Sequence, residues 1–196
     1  MPAAVPDSAL AHGAAALAKQ VEPAFLVQHS YRTYFMGAEL LSAAGQRYDA
    51  ELLYVASMLH DVALGTDLDD GVTPFNLRGA GLVASRVLEY GRSDQEAKLV
   101  FDAIALHLDL TTAQDERAEV AGVHLGAAAD VVGINVSEIS PAVLEAILAE
   151  YPRGDMKTAF ADVIQAEARK KPYSDAAALI QNLSFLELIH AAPFDE

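Results

Sequence analysis

The stretch ELLYVASMLHDVALG, residues 51–65, decides how the rest of the chain is read. Leu53, Ala56, Ser57 and His60 fall at i, i+3, i+4 and i+7, which puts His60 on the stripe that a helix turns toward a core. Asp61 lies about 100° further round, in line with Tyr54 and Met58. A strand would alternate with period two, and this run does not. A His–Asp pair therefore closes an inward-facing helix, and a buried charge requires partners.

The neighbouring segments repeat the pattern. A helix is predicted from Pro23 to near Gly45, with His29, Thr33, Met36 and Leu40 on one face and Arg32 one turn from His29. An earlier helix is predicted after Asp7, read as its N-cap, towards Lys19. The irregular stretch Gly65–Pro74 follows the His–Asp pair, and loops of this kind often cover sites. Further helices are expected over Leu77–Tyr90, from Ser93 to about Leu108, and over Glu116–Val132 with Gly133 as the stop. Short helices after Ser140 and Asp155, then one from Ser174 to Ala191, complete an all-α reading.

Two more polar residues share apolar stripes. His107 lines up with Ala97, Val100 and Ile104; Asp130 lines up with Val120, Val123, Ala127 and Ile134. Two imidazoles and two carboxylates from three helices can offset one another's burial by sharing a divalent cation, and nitrogen with oxygen donors suits zinc, iron, manganese or nickel. Spacing alone leaves open that each histidine is a satisfied core residue and that Asp130 pairs with Arg32 or Arg78. His124 is six positions before Asp130, so the two do not readily face one ion. His12 and His190 carry no supporting pattern and read as surface or packing residues.

Composition narrows the function classes. Of 196 residues 53% are hydrophobic, enough for a core without staples. Asp and Glu number 28 against 13 Lys and Arg, a formal charge of −15, which disfavours nucleic acid and anionic membrane as partners. Cysteine is absent, so thiolate metal sites and cysteine nucleophiles are excluded. No leader of the secretory kind and no apolar run of spanning length is visible, and the expected compartment is the cytoplasm. The apolar face from Ala176 to Ile189 is expected either to cover the core or to pair subunits in a homo-oligomer.

His29 in QHSYRTYFMGAELL, His60–Asp61 in the opening stretch and Asp130 in HLGAAADVVGIN occur in the order of the HD-domain metal-dependent hydrolase superfamily. The segments FNLRGAGLVASRVL, FDAIALHLDL and YPRGDMKTAF resemble its cyanamide hydratase-like branch, from about Gln28 to the end of the chain. The resemblance implies a single HD-type helical bundle over 1–196, with a motif core at 26–135 and helices of 140–191 packed on it. It also implies one divalent metal, zinc first, held by His29, His60, Asp61 and Asp130. Many HD phosphohydrolases carry a lysine soon after the His–Asp pair; here Val62, Ala63 and Leu64 follow.

The expected activity is hydration or hydrolysis of a small molecule by metal-bound hydroxide, taking a nitrile-type carbon to an amide or urea. His107 is the expected general acid–base, and Arg32, Asn76 and Arg78 the expected substrate contacts. The alternatives are a metal-dependent phosphohydrolase acting on a nucleotide or phosphate ester, and a non-catalytic metal-containing binding module.

Overall fold

The computed structural model describes residues 3–196, and among them ten α-helices form and no strand. They are α1 (Ala9–Val21), α2 (Ala24–Ala43), α3 (Ala50–Leu59), α4 (Phe75–Glu89), α5 (Asp94–Ala105), α6 (Ala118–Val132), α7 (Pro141–Glu150), α8 (Met156–Lys170), α9 (Asp175–Leu183) and α10 (Phe185–Ala191). Short 3₁₀ turns at Leu110–Gln114 and Val136–Glu138 were not foreseen from the sequence. No described helix is long and apolar enough to cross a membrane.

Local chemistry sets the helix ends. Asp49 accepts from the backbone N–H groups of Glu51 and Leu52, and Ser93 with Glu96 closes a capping box at α5. Gly133, at φ 78°, stops α6 in the left-handed conformation that a side chain would resist. Three expectations need correction. The cap of α1 is Ser8, whose hydroxyl accepts from Ala11 N–H, while Asp7 faces His12 on the surface. The helix expected after Asp155 is not short but runs to Lys170. The single helix expected over 174–191 is broken at Ser184, which takes a left-handed φ of 51° at a cost of about 1 kcal/mol and redirects the chain into α10.

The centre of the fold is the crossing of α2 and α6. A Cβ at Gly126 would lie 2.0 Å from the Thr33 carbonyl oxygen, and one at Gly37 would lie 2.3 Å from that of Gly122. Glycine at these positions lets the two backbones touch, and the close approach brings the first turns of α2 beside the last turns of α6. The main core fills the space among α1 to α6. A second apolar cluster, including Leu26, Val131, Phe160 and Ile189, seats α8 and α10 on that crossing. Ala176, Ala177, Leu179 and Ile189, from the face expected to cover the core or pair subunits, are buried within the chain.

The stretch Gly65–Pro74 does not cover the site. Asp69 accepts from the ammonium groups of Lys170 and Lys171, and Glu167 accepts from Phe75 N–H at 3.0 Å. These contacts pin it against the end of α8.

Candidate metal centre

Three of the four expected ligands converge. A ligand atom from each of His29, His60 and Asp61 lies within 4.8 Å of the others, and all three side chains are buried. His29 Nε2 is 3.1 Å from His60 Nε2 and 3.6 Å from an Asp61 carboxylate oxygen; His60 Nε2 is 3.4 Å from that same oxygen. His60 is the residue at which α3 ends, and its ring folds back so that Nδ1–H donates to the free carbonyl of Ser57 at 2.8 Å. His107 repeats the device just past α5, donating from Nδ1 to the carbonyl of Ile104 at 2.7 Å. His124 donates from Nδ1 to the carbonyl of His107 at 2.8 Å.

These partners fix the tautomers. A carbonyl can only accept, so each of those Nδ1 atoms carries the hydrogen and each neutral ring keeps a lone pair on Nε2. His29 donates from Nδ1 to Asp130 at 2.7 Å, which leaves its Nε2 in the same condition. Two lone pairs therefore face each other at 3.1 Å beside a carboxylate. Among the described residues both Asp61 oxygens are buried with no hydrogen-bond donor. A cluster made only of acceptors is satisfied by a cation, and two imidazole nitrogens with a carboxylate suit a divalent one. The residues fit the group.

The electrostatics of the side chains agree. Burial, then the neighbouring His29, lowers His60 to about 3. Burial, then His60, lowers His107 to about 3. Both are neutral near pH 7, which for His60 is the form that binds metal. Burial also raises Asp61, only partly offset by His29 and His107.

Asp130, the fourth expected ligand, lies outside this group and directly behind His29. Arg32 grips it from two nitrogens, at 2.7 Å and 3.0 Å, and Arg153 donates to its backbone oxygen at 2.7 Å and to its carboxylate. Burial would raise Asp130, but the Arg32 charge and the His29 hydrogen bond outweigh it and hold the carboxyl well below the ordinary range. Asp130 thus acts on the cluster through His29, fixing its ring orientation. Arg153 had no role in the sequence reading. It lies in the irregular turn after α7, where no periodicity points inward, and its position depends on distant contacts. Tyr151 stacks on Tyr31 at 4.6 Å, Phe194 lies under the guanidinium at 4.2 Å, and Glu196 pairs with it.

The cluster forms part of the wall of a cavity of about 280 Å³. His107 lines it, with Nε2 3.7 Å from Asp61, and so does His124. The three expected substrate contacts do not. The Arg32 guanidinium is spent on Asp130 and the carbonyls of Tyr151 and Pro152. Asn76 ties α4 to α5 and α9, donating to Ala105 O at 2.7 Å and to Asp175 at 3.1 Å. Arg78 is half-buried and braces the pinned loop through the carbonyl of Leu68 at 3.1 Å. In each case a nearby acceptor captures the side chain before it can reach the cavity. Ile134, read as the end of the α6 stripe, lies past Gly133 and is exposed at the cavity rim. His12 and His190 are both exposed.

This helical frame, with paired histidines and a carboxylate at its centre, belongs to a known class. An HD-domain family model matches residues 26–166, and the chain belongs to that family, whose members bind divalent metals. It is similar to two proteins of Saccharomyces cerevisiae, cyanamide hydratase DDI2 and cyanamide hydratase DDI3. Each is 27% identical over 164 residues, a stretch covering 81% of this chain and 72% of the relative. The resemblance seen in the sequence, HD-type and cyanamide hydratase-like, is thereby borne out.

Proposed function

We propose that this chain is a metal-dependent hydratase that adds water to the electrophilic carbon of a small nitrile-like molecule. The observation that carries the proposal is the acceptor-only cluster of His29, His60 and Asp61 in the wall of a cavity that, among the described residues, no arginine or lysine lines. A divalent metal bound there, zinc first, supplies Lewis acidity that makes water nucleophilic near neutral pH.

The chain's own groups do the rest. His29, His60 and Asp61 present the donor atoms, and Asp130 with Arg32 and Arg153 prevents His29 from turning away. His107 enters the reaction neutral. Its Nε2 lone pair takes a proton from the attacking water and returns it to the substrate nitrogen. This addition across the carbon–nitrogen triple bond gives an imidic acid, which becomes the amide when its hydroxyl proton moves to nitrogen. For cyanamide the product is urea. His107 is itself buried, at 4% exposure, which shields its proton from exchange with solvent.

A phosphate ester would bring a dianion beside Asp61 with no guanidinium or ammonium group to receive it, which argues against the phosphohydrolase reading. The test is amide or urea formation from cyanamide and simple nitriles by metal-loaded protein, beside phosphate release from a nucleotide panel. Amide or urea that disappears on chelation and in His60→Ala is expected. Phosphate release without either product would overturn the proposal. Ligand binding without turnover at any metal loading would leave a binding module. His107→Ala should keep its metal and lose turnover by about 10²–10⁴-fold; unchanged turnover would return His107 to a packing role.

A further inference from the structure

We infer that the molecule accepted at this site carries an uncharged, apolar body of at least one aromatic ring or a short alkyl chain behind its reacting carbon. The identity of the reacting carbon rests on the hydratase reading; the apolar body rests on the walls alone. Beyond the cluster, His107 and His124, every residue lining the cavity is apolar. A cavity near 150 Å³ holds benzene, so about 280 Å³ takes more than a single ring, and cyanamide would leave most of it unfilled.

The mouth points the same way. Four residues that line the cavity are also open to solvent: Leu110 at 56%, Ile134 at 49%, Leu188 at 44% and Leu183 at 42%. They come from the segments after α5 and α6 and from the two sides of the break at Ser184. Leu183 ends α9 and Leu188 lies in α10, so the left-handed turn between them presents both to one opening. A rim of this kind repels a polar or charged molecule on its way in and gains by burying hydrocarbon. It also stands on the cavity that contains the metal cluster, so its occupant is the reacting molecule itself.

The experiment uses metal-loaded protein and an alkyl nitrile series from acetonitrile to hexanenitrile, with cyanamide and benzonitrile beside it. Equilibrium binding is followed by calorimetry and amide formation by chromatography. Affinity should rise about fourfold per added methylene while the cavity fills. Ala128→Phe, which places a ring in the cavity wall, should abolish that rise while metal content stays unchanged. If affinity climbs along the series but neither nitriles nor cyanamide are hydrated, the apolar body stands and the hydratase reading fails. If cyanamide is hydrated and the series is flat in both affinity and kcat/KM, the hydratase reading stands and the inference is overturned. A flat series with a dimer that Leu188→Glu dissociates would also overturn it and give the rim to a second copy.

Discussion

Asp130 shows how much one buried carboxylate can organise. It carries its charge at zero exposure because two guanidinium groups and an imidazole N–H converge on it. Arg32→Met removes the principal countercharge and leaves Asp130 uncompensated, so it should destabilise the fold by about 3–5 kcal/mol. It should also weaken metal binding by roughly 10–100-fold through the loosened His29. Denaturant unfolding and a metal titration check the two figures. Arg32→Lys should recover little, since one ammonium cannot replace the two-point grip. Glu22 is the opposite case: a buried carboxyl whose two oxygens find no donor among the described residues. Burial first, then the charge of Asp61, raises its pKa well above the usual carboxylate range. The folded state therefore binds the extra proton more tightly than the unfolded one. Its contribution is full below the unfolded pKa and is lost as pH rises toward the raised value. Glu22→Gln should accordingly gain thermal stability over the metal-free parent, by a margin that widens from pH 5 to pH 8. A margin independent of pH would contradict the assignment.

The α2–α6 crossing transmits sequence into chemistry, because it sets how close His29 stands to Asp130. Gly126→Ala drives a methyl group into the Thr33 carbonyl, and overpacking of this kind costs about 1–3 kcal/mol. The helices must separate to relieve it, so metal affinity should fall together with stability. Gly81→Ala makes the control: it lies within α4 with nothing within 4 Å, and alanine there should stabilise by about 0.5–1 kcal/mol and leave the metal alone. Equal effects from the two substitutions would show that the crossing does not set the site. The helices and the inward turn of His29, His60, Asp61, His107 and Asp130 were legible in the sequence, since all rest on local periodicity and caps. The break at Ser184 was not, because no glycine or proline marks it and its cost is met by tertiary packing. Arg153 was hidden for a related reason, being placed by Tyr151, Phe194 and Glu196 rather than by its neighbours in sequence. Arg32, one turn from His29, and Asn76 and Arg78, just behind the irregular loop, are expected from sequence to meet substrate, whereas hydrogen-bond acceptors in the folded chain claim all three.

For the molecule as a whole, metal and fold are thermodynamically linked. Lone pairs facing each other across 3.1 Å and an orphaned carboxylate are unfavourable on their own, and a bound cation relieves both. Metal at 100 times its Kd should add about 2.7 kcal/mol, worth roughly 5–10 °C in Tm for a chain of this length. Calorimetry before and after chelation reads that shift, and no shift would uncouple the cluster from the fold. With a formal charge of −15 the surface repels anions, which fits a neutral substrate entering through an apolar mouth. The decisive measurement is elemental analysis of the protein purified without chelator, alongside His60→Ala and Asp61→Ala. A metal centre built on His29, His60 and Asp61 requires about one divalent metal per chain in the parent, zinc first, and loss of it in both variants. A parent that holds no metal and takes up none on reconstitution, or an Asp61→Ala protein that stays fully loaded, would contradict it.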